Sequence, residues 1–492
     1  MKSYATLLLL VLSIAPSAVA QQPVRFEDYF IDSTLRVDYY HTGDATEEIL
    51  AVDQMMREGT WPGNPAKLLD PFGRGHYYVK MYDRTSNTLL YSHGYDAYFD
   101  EYRTTEPAAK GIKRTYHETV LLPYPRKPVQ VVIETKNSRN EFHTLFTHQV
   151  DPSDYHILAP SPDARDKVFT VLKSGAPHTS LDIVFVAEGY TANEESTFKE
   201  DLERYKQALL SLEPYKGRAA KINISGVFRA SAESGVTQPR EGIFKNTAVR
   251  SSFNALDTDR YLLTEENRAL RDIASAVPYD VLCVMVNSSR YGGGGLYNDY
   301  TIFTTRNEQS QTVFLHEFGH GFVGLGDEYY ASDVSYLDFY PRGVEPVEPN
   351  LTALLDPSKL KWKDLVSPGV AIPTEWGKAE YDSLQRAMGD LGRKRYSLVA
   401  SRGNEGVSPD TAALLKKELD EKMRQMRRRV SEILTNGPFK DKIGACEGAG
   451  YTSQGLYRPS VNCMMFSNEQ KAFCRVCERA VATMIEQYAG TY

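Results

Sequence analysis

The stretch QTVFLHEFGHGFVGLGDEY, at residues 311–329, constrains the fold of this 492-residue chain more than any other. Positions four apart lie on one face of an α-helix, so His316 and His320 can direct their imidazole rings to one point. The apolar residues 313–315 in the preceding turn predict that the helix packs against a sheet. We therefore predict a packed helix that presents two metal-ligating side chains on one face.

Histidine pairs of this spacing bind zinc, and the glutamate between them can serve as a general base. Glu317 would accept a proton from a metal-bound water, which predicts zinc-assisted hydrolysis of a peptide bond. A catalytic zinc has three protein ligands plus water. No histidine follows His320, and none lies between His178 and His316. Unless the N-terminal region supplies one, the third ligand is predicted to be a carboxylate or a thiolate.

Two carboxylates follow the second histidine of the motif. Asp327 and Glu328 lie seven and eight residues after His320. Gly324 and Gly326 stand just before them and allow the chain to turn back towards the ion. We predict that Asp327 is the third ligand, with Glu328 as the alternative. The carboxylate that does not bind the metal is expected either to face solvent or to orient a metal ligand through a hydrogen bond.

Residues 151–170 are rich in proline, aspartate and serine, and we interpret them as a linker. The sequence patterns before and after this segment differ. Residues 21–150 contain short aromatic and β-branched runs, such as HYYVKMYD and VQVVIET, which predict a β-sandwich-like domain. After the linker, LDIVFVA, INISGVF and YDVLCVMV alternate with helical stretches, which predicts a sheet covered by helices. Residues 171–492 would form the metal-binding domain, with an insertion at 331–441 that contains a helix at 411–434. The predicted class is multidomain, α+β or α/β.

The first twenty residues have the pattern of a signal peptide. Lys2 provides the positive start, residues 7–14 the apolar run and residues 18–20 a small-residue cleavage site. We therefore expect an exported protein, in the periplasm, on the cell surface or in the medium. No later run reaches about 18 apolar residues, which predicts no membrane span. The net charge of −7 and the lack of a long basic run argue against nucleic acid as a partner.

Four of the five cysteines, Cys446, Cys463, Cys474 and Cys477, lie within the last fifty residues. In an exported chain such a cluster predicts at least one disulfide, with a structural zinc held by four thiolates as the alternative. The spacing does not define the pairing. Cys283 lies in the apolar run VLCVMV and is predicted to be a buried, unreactive thiol.

HEFGHGFVGLGDEYY, preceded by RYGGGGLYNDYTIFTT, resembles the IgA-peptidase family of zinc metallopeptidases, a metzincin-like group of secreted bacterial proteins. The resemblance extends from about residue 181 to the end, and the N-terminal region resembles the module that precedes this catalytic domain. It implies a zincin fold, with Gly324 and Asp327 one residue later than in typical metzincins, as in this family. It also implies a methionine turn beneath the metal. NCMMF is the candidate, with Met465 favoured over Met464.

The resemblance further implies that the glycines at residues 292–295 precede an edge strand along which an extended substrate pairs. A flexible loop is the alternative for these glycines. Tyr329 and Tyr330 lie close to the motif, but the sequence gives no reason to assign a catalytic role to either. The substrate is expected to be a protein or peptide. Its identity and the oligomeric state are not readable from the sequence.

Two other functions are compatible with the same residues. A zinc peptidase of the other large class would take a third glutamate from a downstream helix, such as Glu418 or Glu421, but no NExxxD-like sequence follows the motif. A non-catalytic exported protein would bind a glycan or a protein through its β-rich module and keep a vestigial zinc site. The intact Glu317 argues against this second alternative.

Overall fold

The computed structural model describes residues 24–330, 339–400, 409–467 and 470–490. The predicted signal peptide at residues 1–20 lies outside these segments, as do residues 331–338 and 401–408 of the predicted insertion. Within them the protein is a mixed α/β structure with several sheets and a β-rich N-terminal region. None of the helices in these segments has the length and apolar character needed to cross a membrane.

The β-rich N-terminal region contains two four-stranded sheets that share one apolar core. In chain order its strands are β1 (Phe30–Gly43), β2 (Glu48–Glu58), β3 (Tyr77–Asp83), β4 (Leu89–Tyr95), β5 (Arg114–Pro125), β6 (Val129–Lys136), β7 (Phe142–Val150) and β8 (Ile157–Leu158). They are ordered β5-β1-β2-β8 and β4-β3-β6-β7. The short helices are α1 (Phe26–Tyr29), α2 (Tyr98–Arg103) and α3 (Glu106–Ala109). The runs HYYVKMYD and VQVVIET correspond to β3 and β6.

A six-stranded sheet forms the centre of the second region. Its strands are β9 (Lys167–Leu172), β10 (Leu181–Glu188), β11 (Ile222–Phe228), β12 (Val281–Val286), β13 (Gly293–Leu296) and β14 (Tyr300–Thr304). In the order β13-β14-β12-β10-β11-β9, the four inner strands are parallel and both edge strands are antiparallel to their neighbours. Parallel strands covered on both faces have continuous apolar sequences. This is why LDIVFVA, INISGVF and VLCVMV were recognisable as strands.

Longer helices follow in the second region and beyond it. They are α4 (Glu195–Ser211), α5 (Asn267–Ala274), α6 (Ser310–Val323), α7 (Lys378–Ala400), α8 (Pro409–Asn436) and α9 (Arg475–Tyr488). The helix predicted at 411–434 is α8, and α7 packs against it. Neither α7 nor α9 was predicted.

Helix α6 carries the HEFGH motif and is packed between the central sheet and α9. Val313 and Phe318 anchor it in the main apolar core. Strand β13, at the edge of that sheet, approaches the helix closely: a Cβ atom at Gly295 would lie 2.4 Å from the Glu317 carbonyl oxygen, and one at Gly293 would lie 2.9 Å from Glu317 Cγ. Glycine is therefore needed at both positions for β13 to lie against the motif helix.

The C-terminal segment contains the hairpin of β15 (Cys446–Ala449) and β16 (Thr452–Arg458), the NCMMF turn and α9. All five cysteines are free thiols. The prediction of a disulfide is therefore wrong. The Sγ atom of Cys477 lies 3.6 Å from that of Cys474 and 3.8 Å from that of Cys463, whereas a disulfide requires about 2.05 Å. Cys283 is buried in β12, as predicted.

Candidate active site

Two histidines and one aspartate converge on one side of α6. His316 Nε2 and His320 Nε2 lie 3.1 Å apart, and Asp327 Oδ1 lies 3.0 Å from the first and 3.2 Å from the second. Helix α6 ends at Val323, and Gly324 adopts a left-handed conformation with φ of 65°. The chain can therefore turn back directly after the helix. The structure brings together the three residues that the sequence predicts as ligands.

Backbone carbonyls orient both imidazole rings. His316 Nδ1 lies 3.1 Å from the Met464 carbonyl oxygen, and His320 Nδ1 lies 2.6 Å from that of Leu325. Because a carbonyl only accepts, each Nδ1 carries a proton, so each Nε2 is the nitrogen left to offer a lone pair to a bound ion. Together with the Asp327 carboxylate, three electron-pair donors meet at one point. Ligand atoms about 2.0–2.2 Å from a tetrahedral zinc lie roughly 3.3–3.6 Å apart, close to the observed spacings, so these side chains fit the ion.

Burial and the neighbouring charges shift the pKa values of these groups. Burial opposes ionisation of His320, but the Asp327 carboxylate outweighs it and raises the pKa of His320 to about 9. Despite its own burial, Asp327 has a pKa well below the usual range because of the two histidines. Burial raises the pKa of Glu317, which lies at the wall of the adjacent cleft. Glu317 therefore binds a proton more readily than an exposed glutamate does.

Glu328 points away from the two histidines. Its side chain is fully buried, and Oε1 accepts a hydrogen bond from Asn350 Nδ2 at 3.0 Å and one from the Cys477 thiol at 3.3 Å. Burial raises the pKa of Glu328 to about 8. Of the two carboxylates that the sequence left open, only Asp327 faces the histidine pair.

Tyr451 supports Asp327 from the other side, a contact that sequence reasoning missed. Its hydroxyl donates to Asp327 Oδ2 at 2.7 Å, which leaves Oδ1 facing the histidines. Tyr451 lies in the turn between β15 and β16 and follows Asp327 by 124 residues. No local pattern in the sequence could have identified it, because the contact depends on how the C-terminal hairpin packs.

Replacing Tyr451 with phenylalanine is expected to weaken zinc binding at the histidine site by about 10–100-fold, because outer partners of metal ligands contribute that much. Competition with a chromophoric chelator would measure the affinity, and thermal unfolding would check the fold. Tyr457→Phe, on strand β16 of the same hairpin, is the matched control and should bind zinc like the wild type. Equal affinities for Tyr451→Phe and the wild type would contradict the supporting role of this hydroxyl.

The NCMMF turn lies directly against the motif helix. Met464 contributes its carbonyl oxygen to His316, as described above. Met465 is fully buried, and its Sδ atom lies 3.1 Å from the position that a Cβ atom at Gly319 would occupy. Both methionines therefore contact the helix, one through its backbone and the other through its sulfur.

Family models identify the chain. A model described as IgA Peptidase M64 matches residues 169–485, more than half of the 492 residues. The chain belongs to this family. A second model, described as Peptidase M64 N-terminus, matches residues 25–147. The resemblance seen in the motif is thereby confirmed, whereas comparison with curated proteins finds no match. M64 peptidases are metallopeptidases, and membership indicates an enzyme that acts on proteins or peptides.

A cleft of about 680 Å³ runs past the convergent side chains of this M64 peptidase. Strand β13 and residues of the segment 339–348 line part of it. Other lining residues belong to the β-rich N-terminal region, to which the sequence assigned no part in the site. They include charged groups of both signs, among them Glu48, Asp100, Arg103 and Lys136. A substrate in this cleft would contact both regions of the peptidase.

Hydrogen bonds hold the N-terminal region against the motif helix. Arg74 Nη1 donates to the carbonyl oxygen of Val323, the last residue of α6, at 2.8 Å. Asn298 Nδ2 donates to the Gly94 carbonyl oxygen at 2.7 Å, from the turn between β13 and β14. Such contacts between distant segments have no local sequence signal, so a cleft lined by both regions could not be predicted.

The tyrosines that follow Asp327 have different surroundings. Tyr329 lines the cleft, and its hydroxyl interacts with Asp327 and with the Arg260 guanidinium. Tyr330 turns away and donates to Asp382 Oδ1 at 2.7 Å. Of these two tyrosines, Tyr329 is therefore the one placed to touch a substrate in the M64 cleft.

The downstream glutamates considered as alternative ligands lie elsewhere. Glu418 and Glu421 are on α8, and they pair with Lys422 at 2.7 Å and with Arg424 at 2.6 Å. Neither lines the cleft. The arrangement with a third glutamate from a downstream helix is therefore not supported by the geometry.

Proposed function

We propose that this M64 protein is an exported zinc endopeptidase in which Glu317 acts as the general base. The proposal is carried by one observation: His316 Nε2, His320 Nε2 and Asp327 Oδ1 lie 3.0–3.2 Å from one another at the wall of the cleft. Zinc bound by these residues would polarise the scissile carbonyl and lower the pKa of a water in its remaining coordination position towards about 7.

Glu317 is suited to move the proton. It immediately follows His316 on α6, lines the cleft and has a raised pKa because of burial. In the proposed reaction its carboxylate accepts a proton from the attacking water and then donates it to the amine nitrogen that leaves. Arg260 stands on the same wall, where its positive charge favours the ionised form of Glu317 that accepts the proton.

Strand β13 is suited to hold an extended substrate. It pairs with β14 along one edge only and forms the end of the sheet, while residues 293–296 line the cleft. We propose that the substrate backbone adds to the free edge as a further strand. The glycines leave no side chain to hinder that approach, and their closeness to Glu317 would place the substrate backbone near the base.

We also propose a metzincin-like zincin arrangement for residues 171–492, with an insertion at 331–441. Three features support it: the motif helix under an edge strand, the left-handed turn at Gly324 and the buried Met465 packed against the helix. Residues 21–150 are proposed as a separate domain that completes the cleft, with residues 151–170 as the connecting segment.

Export is proposed from the first twenty residues, which carry Lys2, an apolar run and a small-residue cleavage site. The N-terminal sequence of protein recovered outside the cytoplasm would test it. A mature chain that begins near Gln21 is the expected result, and an intact Met1 in protein that stays in the cytoplasm would contradict export.

Metal removal tests the proposed chemistry directly. The purified chain is expected to cleave members of a broad peptide library, a chelator should abolish cleavage, and zinc should restore it. New termini identified by mass spectrometry would report the cleaved bonds. Cleavage that persists in a chain shown to be free of metal would overturn the zinc mechanism. Zinc binding without cleavage of any protein or peptide would favour the alternative of a binding protein with a vestigial site.

A further inference from the structure

A second cluster of metal-ligating side chains lies behind the histidine site. Three thiols and one carboxylate, from Cys463, Cys474, Cys477 and Glu328, have ligand atoms that all lie within 4.8 Å of one another. They come from three segments: the loop after α6, the NCMMF turn and the start of α9. Glu328, Cys463 and Cys477 are fully buried. The proposed peptidase reaction uses none of these four side chains.

From this cluster we propose a second, structural zinc site formed by Cys463, Cys474, Cys477 and Glu328. Zinc–sulfur distances of about 2.3 Å in a tetrahedral site place two sulfurs roughly 3.8 Å apart. The Sγ atom of Cys477 lies 3.8 Å from that of Cys463 and 3.6 Å from that of Cys474, and it lies 3.3 Å from Glu328 Oε1. These spacings match the edges of a tetrahedron around one ion.

An unpaired oxygen of the Glu328 carboxylate also supports a metal ion in this cluster. Glu328 Oε2 is buried without a hydrogen-bond partner, and Oε1 receives a bond from Asn350 Nδ2. A buried carboxylate oxygen without a donor costs free energy unless a cation satisfies it. Backbone N–H groups at the start of α9 also point at Cys474 Sγ, and the Cys474 N–H donates to Cys463 Sγ at 3.2 Å. Such donors stabilise thiolates, the form of cysteine that binds zinc.

A buried arginine next to the cluster supplies a balancing charge. Arg458 is fully buried, and its guanidinium donates to backbone carbonyls, including that of Val461 at 3.1 Å. Within the described segments no carboxylate lies within salt-bridge distance of it, yet its charge acts on both Glu328 and Cys446. Three thiolates and one carboxylate around Zn²⁺ carry a net negative charge, which would offset this buried cation.

The second ion would stabilise the two segments that position residues of the histidine site. Glu328 directly follows Asp327, and its backbone N–H donates to the Met465 carbonyl oxygen at 2.9 Å. The neighbouring Met464 carbonyl orients His316. Zinc at the thiolate site would therefore fix both the loop that carries Asp327 and the turn that positions His316. The site goes beyond the proposed peptidase function and does not depend on it.

Zinc content of the full-length chain tests the proposal. The double variant His316→Ala/His320→Ala should lose the histidine-site ion and still contain one zinc per chain. Cys474→Ser/Cys477→Ser should lose the other ion. Cys446→Ser is the matched control, since this buried cysteine lies outside the four-residue group, and its zinc content should equal that of the wild type. A histidine double variant that is folded and free of zinc would overturn the second site.

If the cysteine double variant does not fold, substitution of cobalt for zinc still tests whether thiolates bind the metal. Co²⁺ exchanged into the histidine double variant should give the intense near-ultraviolet absorption of thiolate-to-cobalt charge transfer. Bound cobalt without that absorption would overturn thiolate ligation. The intact mass of the protein under non-reducing conditions would show whether these cysteines form a disulfide. A disulfide between any two of Cys463, Cys474 and Cys477 in the native protein would also overturn the proposal, because a disulfide sulfur cannot serve as a thiolate ligand.

Discussion

Replacing Glu317 with glutamine is expected to lower kcat for peptide hydrolysis by about 10²–10⁴-fold, the usual contribution of general acid–base catalysis. Glutamine has nearly the shape of glutamate but cannot take up the proton of the attacking water. Glu317 is not among the three converging groups, so the variant should retain its zinc. Rates on a peptide that the wild type cleaves, and zinc content of the same preparations, would measure both effects.

Glu308→Gln is the matched control for this experiment. Glu308 is exposed and lies two residues before the first residue of α6, so its substitution changes the net charge equally without altering the cleft. Its rate should equal that of the wild type. An undiminished rate for Glu317→Gln would rule out Glu317 as the base. Loss of zinc from that variant would instead assign Glu317 to metal binding.

The core of the site was predictable because it depends on short-range geometry. His316 and His320 are four residues apart on one helix, and the glycine at 324 marks the end of that helix. Asp327 follows within a few residues, so the number of arrangements is small. The same holds for the inner strands, whose continuous apolar sequences reflect burial on both faces.

The parts that were not predicted depend on packing between distant segments. Tyr451 reaches Asp327 only because the hairpin of β15 and β16 folds back over the loop after α6. Arg103 and Glu48 form part of the cleft wall only because the N-terminal sheets pack on the second region. Neither arrangement leaves a pattern in the neighbouring sequence, since the residues concerned resemble ordinary surface groups of their own elements.

For the cysteines, the same sequence pattern is compatible with two different structures. If the chain is exported as proposed, the number and spacing of its cysteines favour a disulfide, yet the same spacing suits a group of thiolates around an ion. The distinction rests on Sγ separations of a few ångströms, and on whether a carboxylate such as Glu328 completes the group. Sequence distance carries no information on either point. Glu328 itself was expected to face solvent or support the metal ligands, and its burial against Cys477 depends on the turn that carries Asp327.

Asp327→Asn is expected to weaken zinc binding at the histidine site by more than about 100-fold, because loss of an outer partner alone costs about 10–100-fold. Asparagine keeps the size of the side chain but removes the negative charge that faces both histidines. Peptide hydrolysis should fall with zinc occupancy. Competition with a chromophoric chelator would measure the affinity, and the zinc proposed for the thiolate site should remain.

Asp382→Asn provides a close control for that substitution. Like Asp327, Asp382 accepts a hydrogen bond from a tyrosine hydroxyl at 2.7 Å, but it does not line the cleft. Its variant should bind zinc and hydrolyse peptides like the wild type. If Glu328→Gln emptied the histidine site while Asp327→Asn left it filled, the alternative third ligand would be correct. The opposite result is expected, because only Asp327 places a carboxylate oxygen beside both Nε2 atoms.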